Sequence, residues 1–172
     1  MQKTYFLILS GEDRPGIMDT VASALARHGG NWLESRLAHL GSQFAGVVRF
    51  EIAADEIEPL QATIARDQPS DLALTIKPER ESPAEDSRRR LNVSVLGLDR
   101  VGIVSRLVSA LAAQGINVED FRSDTESAAM SGERLFRAAI TISIPEHGDP
   151  DALHDDLDAI AGELSLDLDL EG

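Results

Sequence analysis

Two short stretches of this sequence place an acid, a base and a glycine directly before an apolar helical pattern. The first consists of Asp13, Arg14, Pro15, Gly16 and Ile17. At the start of a helix, backbone N–H groups without an intrahelical partner converge with the positive end of the helix dipole. A glycine there lets a ligand approach the backbone closely, because it has no Cβ. The stretch is therefore a candidate site for a carboxylate.

The second stretch repeats these residue types 86 positions later, as Asp99, Arg100, Val101, Gly102 and Ile103. Valine stands where the first stretch has proline, so the start of the second helix is expected to be less rigid. We therefore do not expect the two sites to bind a ligand equally well.

An asparagine follows each helical pattern, directly after a helix-ending glycine segment. Asn31 follows Gly29 and Gly30, and Asn117 follows Gly115 and Ile116. The asparagine amide offers both a donor and an acceptor to a zwitterion. The turn and the asparagine together suit a small amino acid such as glycine or serine.

Simpler interpretations of these residues remain open. The two aspartates would be N-caps that accept hydrogen bonds from the first turn of their helices. The two glycines would permit tight packing of helix on strand, and the two asparagines would be turn residues. The two arginines would be solvated charges, although an arginine in the first turn of a helix opposes the helix dipole.

Both stretches belong to one internal repeat. Residues 11–36 align without gaps on residues 97–122, and 12 of the 26 aligned positions are identical. A repeat of this length is the signature of a duplicated structural unit. The identical positions are Gly11/Gly97, Asp13/Asp99, Arg14/Arg100, Gly16/Gly102, Ile17/Ile103, residues 23–26 on 109–112, Gly29/Gly115, Asn31/Asn117 and Arg36/Arg122.

The hydrophobic periodicity predicts the same order of elements in each copy. Apolar runs or alternation indicate strands, and apolar residues every three or four positions indicate helices. The order βαββαβ has a known solution, a four-stranded antiparallel sheet with two helices on one face. We therefore expect an α+β protein of two tandem ferredoxin-like modules, residues 1–78 and 90–172, joined by a charged linker, residues 79–89. The predicted elements are 5–9, 17–25, 31–40, 44–52, 57–64 and 72–76, then 91–96, 103–111, 116–125, 136–144, 153–164 and 166–170.

Composition excludes several functions. A net charge of -14 repels a nucleic-acid phosphate backbone, so direct nucleic-acid binding is not expected. The absence of cysteine excludes disulfides, thiolate metal sites and cysteine nucleophiles. No apolar run approaches the length of a membrane span and no signal peptide is evident, so a soluble cytoplasmic protein is expected.

No arrangement typical of catalysis or cofactor binding is present in the sequence. Nucleophile elbows, phosphate-binding loops and dinucleotide-binding motifs are all missing. His147 and His154 lie in an acidic segment, but their spacing fits no helical metal pair, and Asp149-Pro150 is typical of a helix start. We expect no enzyme activity, no cofactor and no metal.

The repeated pattern D-R-x-G-I, an amphipathic helix and then G-x-N resembles the signature of the ACT domain. A chain of this length with two such domains resembles the glycine cleavage system transcriptional repressor family. ACT domains are regulatory modules that bind amino acids, commonly where the turn of one module meets the asparagine region of another. By this resemblance, the ligand-binding residues are Asp13, Arg14, Pro15, Gly16, Ile17 and Asn31 in the first copy, and Asp99, Arg100, Gly102, Ile103 and Asn117 in the second.

The resemblance also implies partners. The chain would bind a small amino acid, with glycine or serine favoured, and a transcriptional activator whose association the ligand alters. Exposed edge strands would join two copies into a homodimer or a continuous sheet. A detached regulatory subunit of an amino-acid biosynthetic enzyme is the alternative.

Overall fold

The computed structural model describes residues 1–67, 71–80, 89–127, 132–144 and 150–171. These residues form two compact units, Met1–Glu81 and Ser82–Gly172. Most of the predicted linker, residues 81–88, lies outside the described residues. Among the helices that the structure describes, none is long and apolar enough to cross a membrane.

The first unit has the order βαββαβ, with a short 3-10 turn before the second helix. Its four strands form an antiparallel sheet in the order β2-β3-β1-β4. The elements are β1 (Gln2–Glu12), α1 (Ile17–Arg27), β2 (Asn31–Leu40), β3 (Gln43–Ala53), the 3-10 turn (Ala54–Glu56), α2 (Ile57–Asp67) and β4 (Ala73–Pro78).

The second unit repeats this architecture. Its antiparallel sheet has the equivalent order β6-β7-β5-β8. Its elements are β5 (Arg89–Leu98), α3 (Ile103–Ala113), β6 (Asn117–Ser127), β7 (Arg134–Ile144), α4 (Pro150–Leu164) and β8 (Leu166–Glu171). The predicted α+β class and both four-stranded ferredoxin-like sheets are confirmed.

Each core lies between one sheet face and the two helices of that unit. In β1 the side chains of Tyr5, Leu7 and Leu9 are buried while their neighbours are more exposed, as alternation along a strand requires. The Tyr5 ring stacks on Phe50 with ring centroids 5.9 Å apart. Full burial of one such side chain contributes roughly 1.5 to 3 kcal/mol, so these cores supply much of the free energy of folding.

The helices present one apolar stripe each to this core. In α1 the buried residues Ile17, Val21 and Leu25 recur every four positions, and Ile103, Leu107 and Leu111 do the same in α3. The stripe predicted from the sequence is therefore the packed face in both units. Several strands extend past their predicted limits, because ladder hydrogen bonds join backbone groups and continue after the apolar pattern ends.

A carboxylate clamp joins the C-terminal ends of α1 and α2. The Asp67 carboxylate accepts a hydrogen bond from Arg27 at 2.7 Å and another from Arg66 at 2.7 Å. The Arg66 guanidinium, with Arg27 also donating, lowers the pKa of the Asp67 carboxyl from 3.8 to about 2. The charged form of Asp67 is therefore favoured by the folded state.

We expect Asp67→Asn to reduce the free energy of unfolding at neutral pH. Because the folded-state pKa is depressed, this stabilisation is fully present above the ordinary value of 3.8 and is lost as the pH falls through about 2. Urea unfolding at several pH values should show the difference between wild type and variant shrinking across this window. Asp55→Asn removes the same charge from the 3-10 turn and serves as the control. If the difference in unfolding free energy between wild type and Asp67→Asn does not change with pH, the ionised Asp67 carboxylate does not stabilise the fold as proposed.

Candidate functional site

The turn between β1 and α1 is anchored to the neighbouring hairpin. The backbone N–H of Asp13 donates to the carbonyl of Ser42, in the turn between β2 and β3, at 2.8 Å. Gly16 precedes the helix with φ +96° and ψ -9°, and its carbonyl accepts the Thr20 N–H at 2.9 Å. The Thr20 hydroxyl donates to the same carbonyl at 2.9 Å. The turn is therefore held at both ends.

The turn between β5 and α3 has nearly the same backbone geometry, except that the Ile103 N–H also donates to the carbonyl of Arg100 at 3.3 Å. The N–H of Asp99 donates to the carbonyl of Arg134, where β7 begins, at 2.8 Å. Gly102 has φ +90° and ψ 1°, and its carbonyl accepts the Arg106 N–H at 3.0 Å. The sequence repeat is thus a repeat of backbone conformation.

The expectation that Gly16 and Gly102 permit tight packing is wrong. A Cβ built on either residue would meet no atom within 4 Å. Both residues have a left-handed backbone instead, which glycine adopts without the steric cost that other residues incur. The open space beside each glycine leaves room for a ligand next to the start of the helix.

The expectation that Asp13 and Asp99 cap their helices is also wrong. Gly16 and Gly102 are the N-cap residues, and no side chain caps either helix. The aspartates lie three residues earlier and face the hairpin instead. Asp13 Oδ2 is 3.4 Å from His39 Nε2, and Asp99 Oδ2 is 3.8 Å from Arg134 Nε. The first-turn N–H groups of each helix are therefore left without a side-chain acceptor.

The two arginines of the repeat have different surroundings. Arg14 forms an ion pair with Asp71, two residues before the start of β4, and lies 4.0 Å from Glu12. Ser165 takes the place of Asp71 in the second unit, as the contacts of the paired glycines on β1 and β5 indicate. In the part of the chain that the structure describes, Arg100 forms no ion pair. Within the described residues, an ion pair therefore neutralises this positive charge only in the first unit.

The first turns of the two helices also differ in charge. Asp19 lies in the first turn of α1, whereas the first turn of α3 contains no acidic residue. An acid at this position already interacts with the helix dipole and repels an incoming carboxylate. The turn of the second unit is therefore the more favourable anion site on electrostatic grounds.

The two asparagines lie at the first positions of β2 and β6. Asn31 pairs with Glu51 across the sheet, and Asn117 pairs with Ser143. Both asparagines are exposed. Within each unit an 11-residue helix, roughly 16 Å long, separates the asparagine from the turn. One unit by itself therefore does not bring the turn and the asparagine together.

Sequence reasoning missed the groups that surround these residues. Asp71 pairs with Arg14 across 57 positions, and the second copy of the repeat has no equivalent carboxylate to reveal it. His39 lies within β2, where no motif marks it. Ser143 is buried, and its hydroxyl is without a hydrogen-bond partner in the described regions. Only the paired strands show that it lies opposite Asn117.

Other candidate sites lie elsewhere. A cavity of about 700 Å³ on the sheet face of unit 2 that the helices do not cover is lined by Arg122, Arg137, Asp167 and Asp169, among others. Its residues belong to the strands, not to the turn. Across the described ranges no group of three or more metal-ligating side chains is found. His147, considered above as a ligand, lies outside the described residues.

Comparison with known proteins agrees with this architecture. The family model of the ACT domain matches residues 4–77 and 89–171. The glycine cleavage system transcriptional repressor of Escherichia coli (strain K12) is 23% identical over 168 residues, which cover 96% of this chain and 88% of the relative. A protein of unknown function from Galdieria sulphuraria has a structure with a TM-score of 0.90, 26% identity and coverage of 99% and 98%. A candidate glycine cleavage system transcriptional repressor has a TM-score of 0.73 at 20% identity, with coverage of 99% and 97%.

We expect Gly16→Ala and Gly102→Ala each to lower the free energy of unfolding by about 1 to 2 kcal/mol, because alanine is strained at positive φ. Chemical denaturation of the full chain measures the loss. Gly162→Ala, in α4 and with open space around it, is the control. That variant should gain up to about 1 kcal/mol from helix propensity. Equal effects at all three positions would contradict the role assigned to the left-handed backbone.

Proposed function

Because this chain belongs to the ACT domain family, we propose that it senses a small amino acid and regulates a transcriptional activator by direct contact. The relationship to a repressor supports a regulatory role. Glycine and serine are the favoured ligands. The chain acts as a protein partner in the cytoplasm, without a cofactor and without binding nucleic acid itself.

The observation that carries this proposal is the uncapped helix start, present twice. A left-handed glycine begins both α1 and α3, and within the described residues no side chain accepts a hydrogen bond from the first-turn N–H groups, although the Ile103 N–H donates to the carbonyl of Arg100 at 3.3 Å. These groups and the helix dipole suit the carboxylate of an amino acid. The open space at each glycine suits a ligand with a small side chain.

The remaining contacts of the ligand come from an asparagine of a second copy of the chain. Asn31 and Asn117 lie one helix length from the turn of their own unit, so one unit by itself does not offer both features to the same ligand. The ligand is then bound only in arrangements of two copies that bring the features together. It shifts the equilibrium towards those arrangements, because only a difference in affinity between states can do so.

Regulation follows from linkage between the two binding events. If the activator binds one arrangement and the amino acid favours another, the amino acid lowers the affinity for the activator. The activator then lowers the affinity for the amino acid by the same factor. A homodimer supplies further modules and is part of the proposal.

The second unit provides the stronger site for the carboxylate. Arg100 is not neutralised as Arg14 is by Asp71, and α3 has no counterpart of Asp19 in its first turn. Both differences favour an anion at Gly102. Val101, which replaces the more rigid proline of the first unit, would by itself favour the first unit as the stronger site. The charges favour the second unit, and they carry more weight because they act on the ligand directly.

A thermal-shift screen of the full chain against the twenty amino acids tests the proposal. A ligand that binds only the folded state stabilises it by about 2.7 kcal/mol at a concentration of 100 times Kd. We expect one or two small amino acids to raise Tm by several degrees and bulky ones to have no effect. If none of the twenty raises Tm, the sensor function is wrong. Replacing both Asn31 and Asn117 by alanine should abolish the shift while leaving the unliganded Tm nearly unchanged, whereas a large loss of Tm would indicate a structural role.

The asymmetry between the units is tested with a matched pair of variants. With the amino acid found in the screen, we expect Arg100→Ala to raise Kd at least about five-fold, as loss of about 1 kcal/mol requires. Arg14→Ala should change Kd less than about two-fold, because Asp71 already neutralises this charge. Calorimetric titration at low ionic strength measures both values. A larger effect of Arg14→Ala would contradict the assignment to the second unit.

A further inference from the structure

The sheet of the first unit has one face that its helices do not cover, which we call the open face of unit 1. Side chains alternate between the two faces along each strand, so the cross-strand register identifies which residues share it. Three rows of the open face cross all four strands, each running from β4 through β1 and β3 to β2. The rows are Ala73-Ser10-Ala45-Ala38, Thr75-Ile8-Val47-Arg36 and Lys77-Phe6-Arg49-Glu34.

The middle of the open face is apolar and accessible. Ile8 is 39% exposed and Val47 41% exposed, and Phe6 is partly exposed beside them. A depression of about 210 Å³ lies between Phe6, Val47 and the start of the polar edge at Glu34. Burial of these side chains would be favourable by roughly 25 cal/mol for each Å² removed from water.

The fold itself does not require so apolar a surface here, because the corresponding face of the second unit is more polar. At the positions equivalent to Phe6 and Ile8, β5 has Asn92 and Ser94. Arg137 in β7 takes the position of Ala45, although Leu96, 39% exposed, takes the position of Ser10. The apolar centre of the open face of unit 1 is therefore not a requirement of the shared fold.

The row that contains Phe6 has opposite charges at its two ends. Lys77 lies on the edge strand β4, and Glu34 lies on the edge strand β2. Between them, Arg49 is held by two hydrogen bonds to Glu79, at 2.9 and 3.1 Å. In the part of the chain that the structure describes, no ion pair involves Lys77.

This pattern is self-complementary when two copies pack sheet against sheet. The two-fold axis then lies between the sheets and runs parallel to the strands. Each row faces the same row of the second copy, but with the order of the strands reversed. Lys77 then faces Glu34 of the second copy, and Ile8 faces Val47. The rings of Phe6 face the guanidinium groups of Arg49, an arrangement favoured by cation–π attraction.

The third row fits the same axis. Its members are Ala73, Ser10, Ala45 and Ala38, which are small and let two sheets approach to the usual spacing of about 10 Å. The rows of Phe6 and of Ala45 therefore match their own reversed copies, and in the middle row Ile8 faces Val47 while Arg36 faces Thr75. We propose that the open face of unit 1 is the surface through which two copies of this chain pack, sheet against sheet.

The size of the open face sets the expected affinity. Four strands about 4.8 Å apart and three rows about 7 Å apart span roughly 20 Å by 20 Å. This footprint of roughly 400 Å² on each copy is about half of what a standard specific interface buries on each partner, about 800 Å². A weak, reversible dimer is therefore expected. The proposed dimer surface rests on the homodimer of the proposed function, but it does not require that the chain bind an amino acid. A negative thermal-shift screen would therefore leave the dimer surface standing, and a monomeric chain would leave amino-acid binding standing.

Sedimentation velocity of the full chain between about 1 and 200 μM tests the surface. We expect a monomer–dimer equilibrium that Val47→Glu shifts to monomer, with Kd raised at least ten-fold. Ala139→Glu is the matched control, because Ala139 occupies the equivalent position on β7, and this variant should leave Kd unchanged. Val47 is exposed, so Val47→Glu should retain the wild-type circular dichroism spectrum.

Charge reversal tests the two-fold arrangement itself. Lys77→Glu and Glu34→Lys should each raise Kd several-fold, and the double variant should restore it, because each pair again has opposite charges. A chain that is monomeric at every concentration would overturn the proposal, as would a dimer that persists in Val47→Glu and thus uses the strand edges. If the double variant does not recover the wild-type Kd, the two-fold arrangement is wrong. If Ala139→Glu raises Kd as much as Val47→Glu does, the open face of unit 1 is not the dimer surface.

Discussion

The left-handed backbone at Gly16 and Gly102 is the constraint on which both units depend. The first strand of each unit must turn into a helix that packs back onto the same sheet, and four residues are available for this turn. The glycine makes the turn and directs the buried residue that follows it, Ile17 or Ile103, into the core. The same conformation leaves the first-turn N–H groups without a side-chain cap. The glycine that the fold requires therefore also leaves the start of the helix open, and the proposed carboxylate site rests on this feature.

Other repeated residues are explained by packing alone. A Cβ on Gly11 would lie 2.8 Å from Leu72, and one on Gly97 would lie 2.4 Å from Leu166. Because these glycines have no side chain, the neighbouring edge strand can pack closely against them, and their repetition needs no functional explanation. The repeated arginines have no such packing role. Arg14 is exposed in a local ion pair and Arg100 is exposed without one in the described regions, so their repetition is not explained by the core.

The two units demonstrate how a duplicated fold can diverge. Alternation preserves one apolar face on every core strand, and this face tolerates little change because it is packed against the helices. The opposite face and the ends of the helices are free to vary. Divergence in this chain is concentrated there, at the open sheet faces and in the charges around the helix starts. A shared core and distinct surfaces are what two modules with different binding tasks require.

The sequence by itself was sufficient for the order of elements, the two sheets and the apolar stripes. Periodicity and the repeat are local properties, and each copy confirmed the interpretation of the other. Strand limits were less well predicted, because backbone pairing continues beyond the apolar residues. The sequence also located both turns, since glycine before an apolar helical pattern is a local signal.

The roles of the residues within those turns were decided only by tertiary structure. Aspartate near the start of a helix is usually a cap, yet the left-handed glycine shifts the cap position and turns Asp13 and Asp99 towards the hairpin. Arg14 meets Asp71 only because β4 returns beside β1, a contact 57 positions apart along the chain. The open face of unit 1 also depends on the register of four strands. Local conformation follows from neighbouring residues, but charge pairing and surface composition depend on which distant segments the fold brings together.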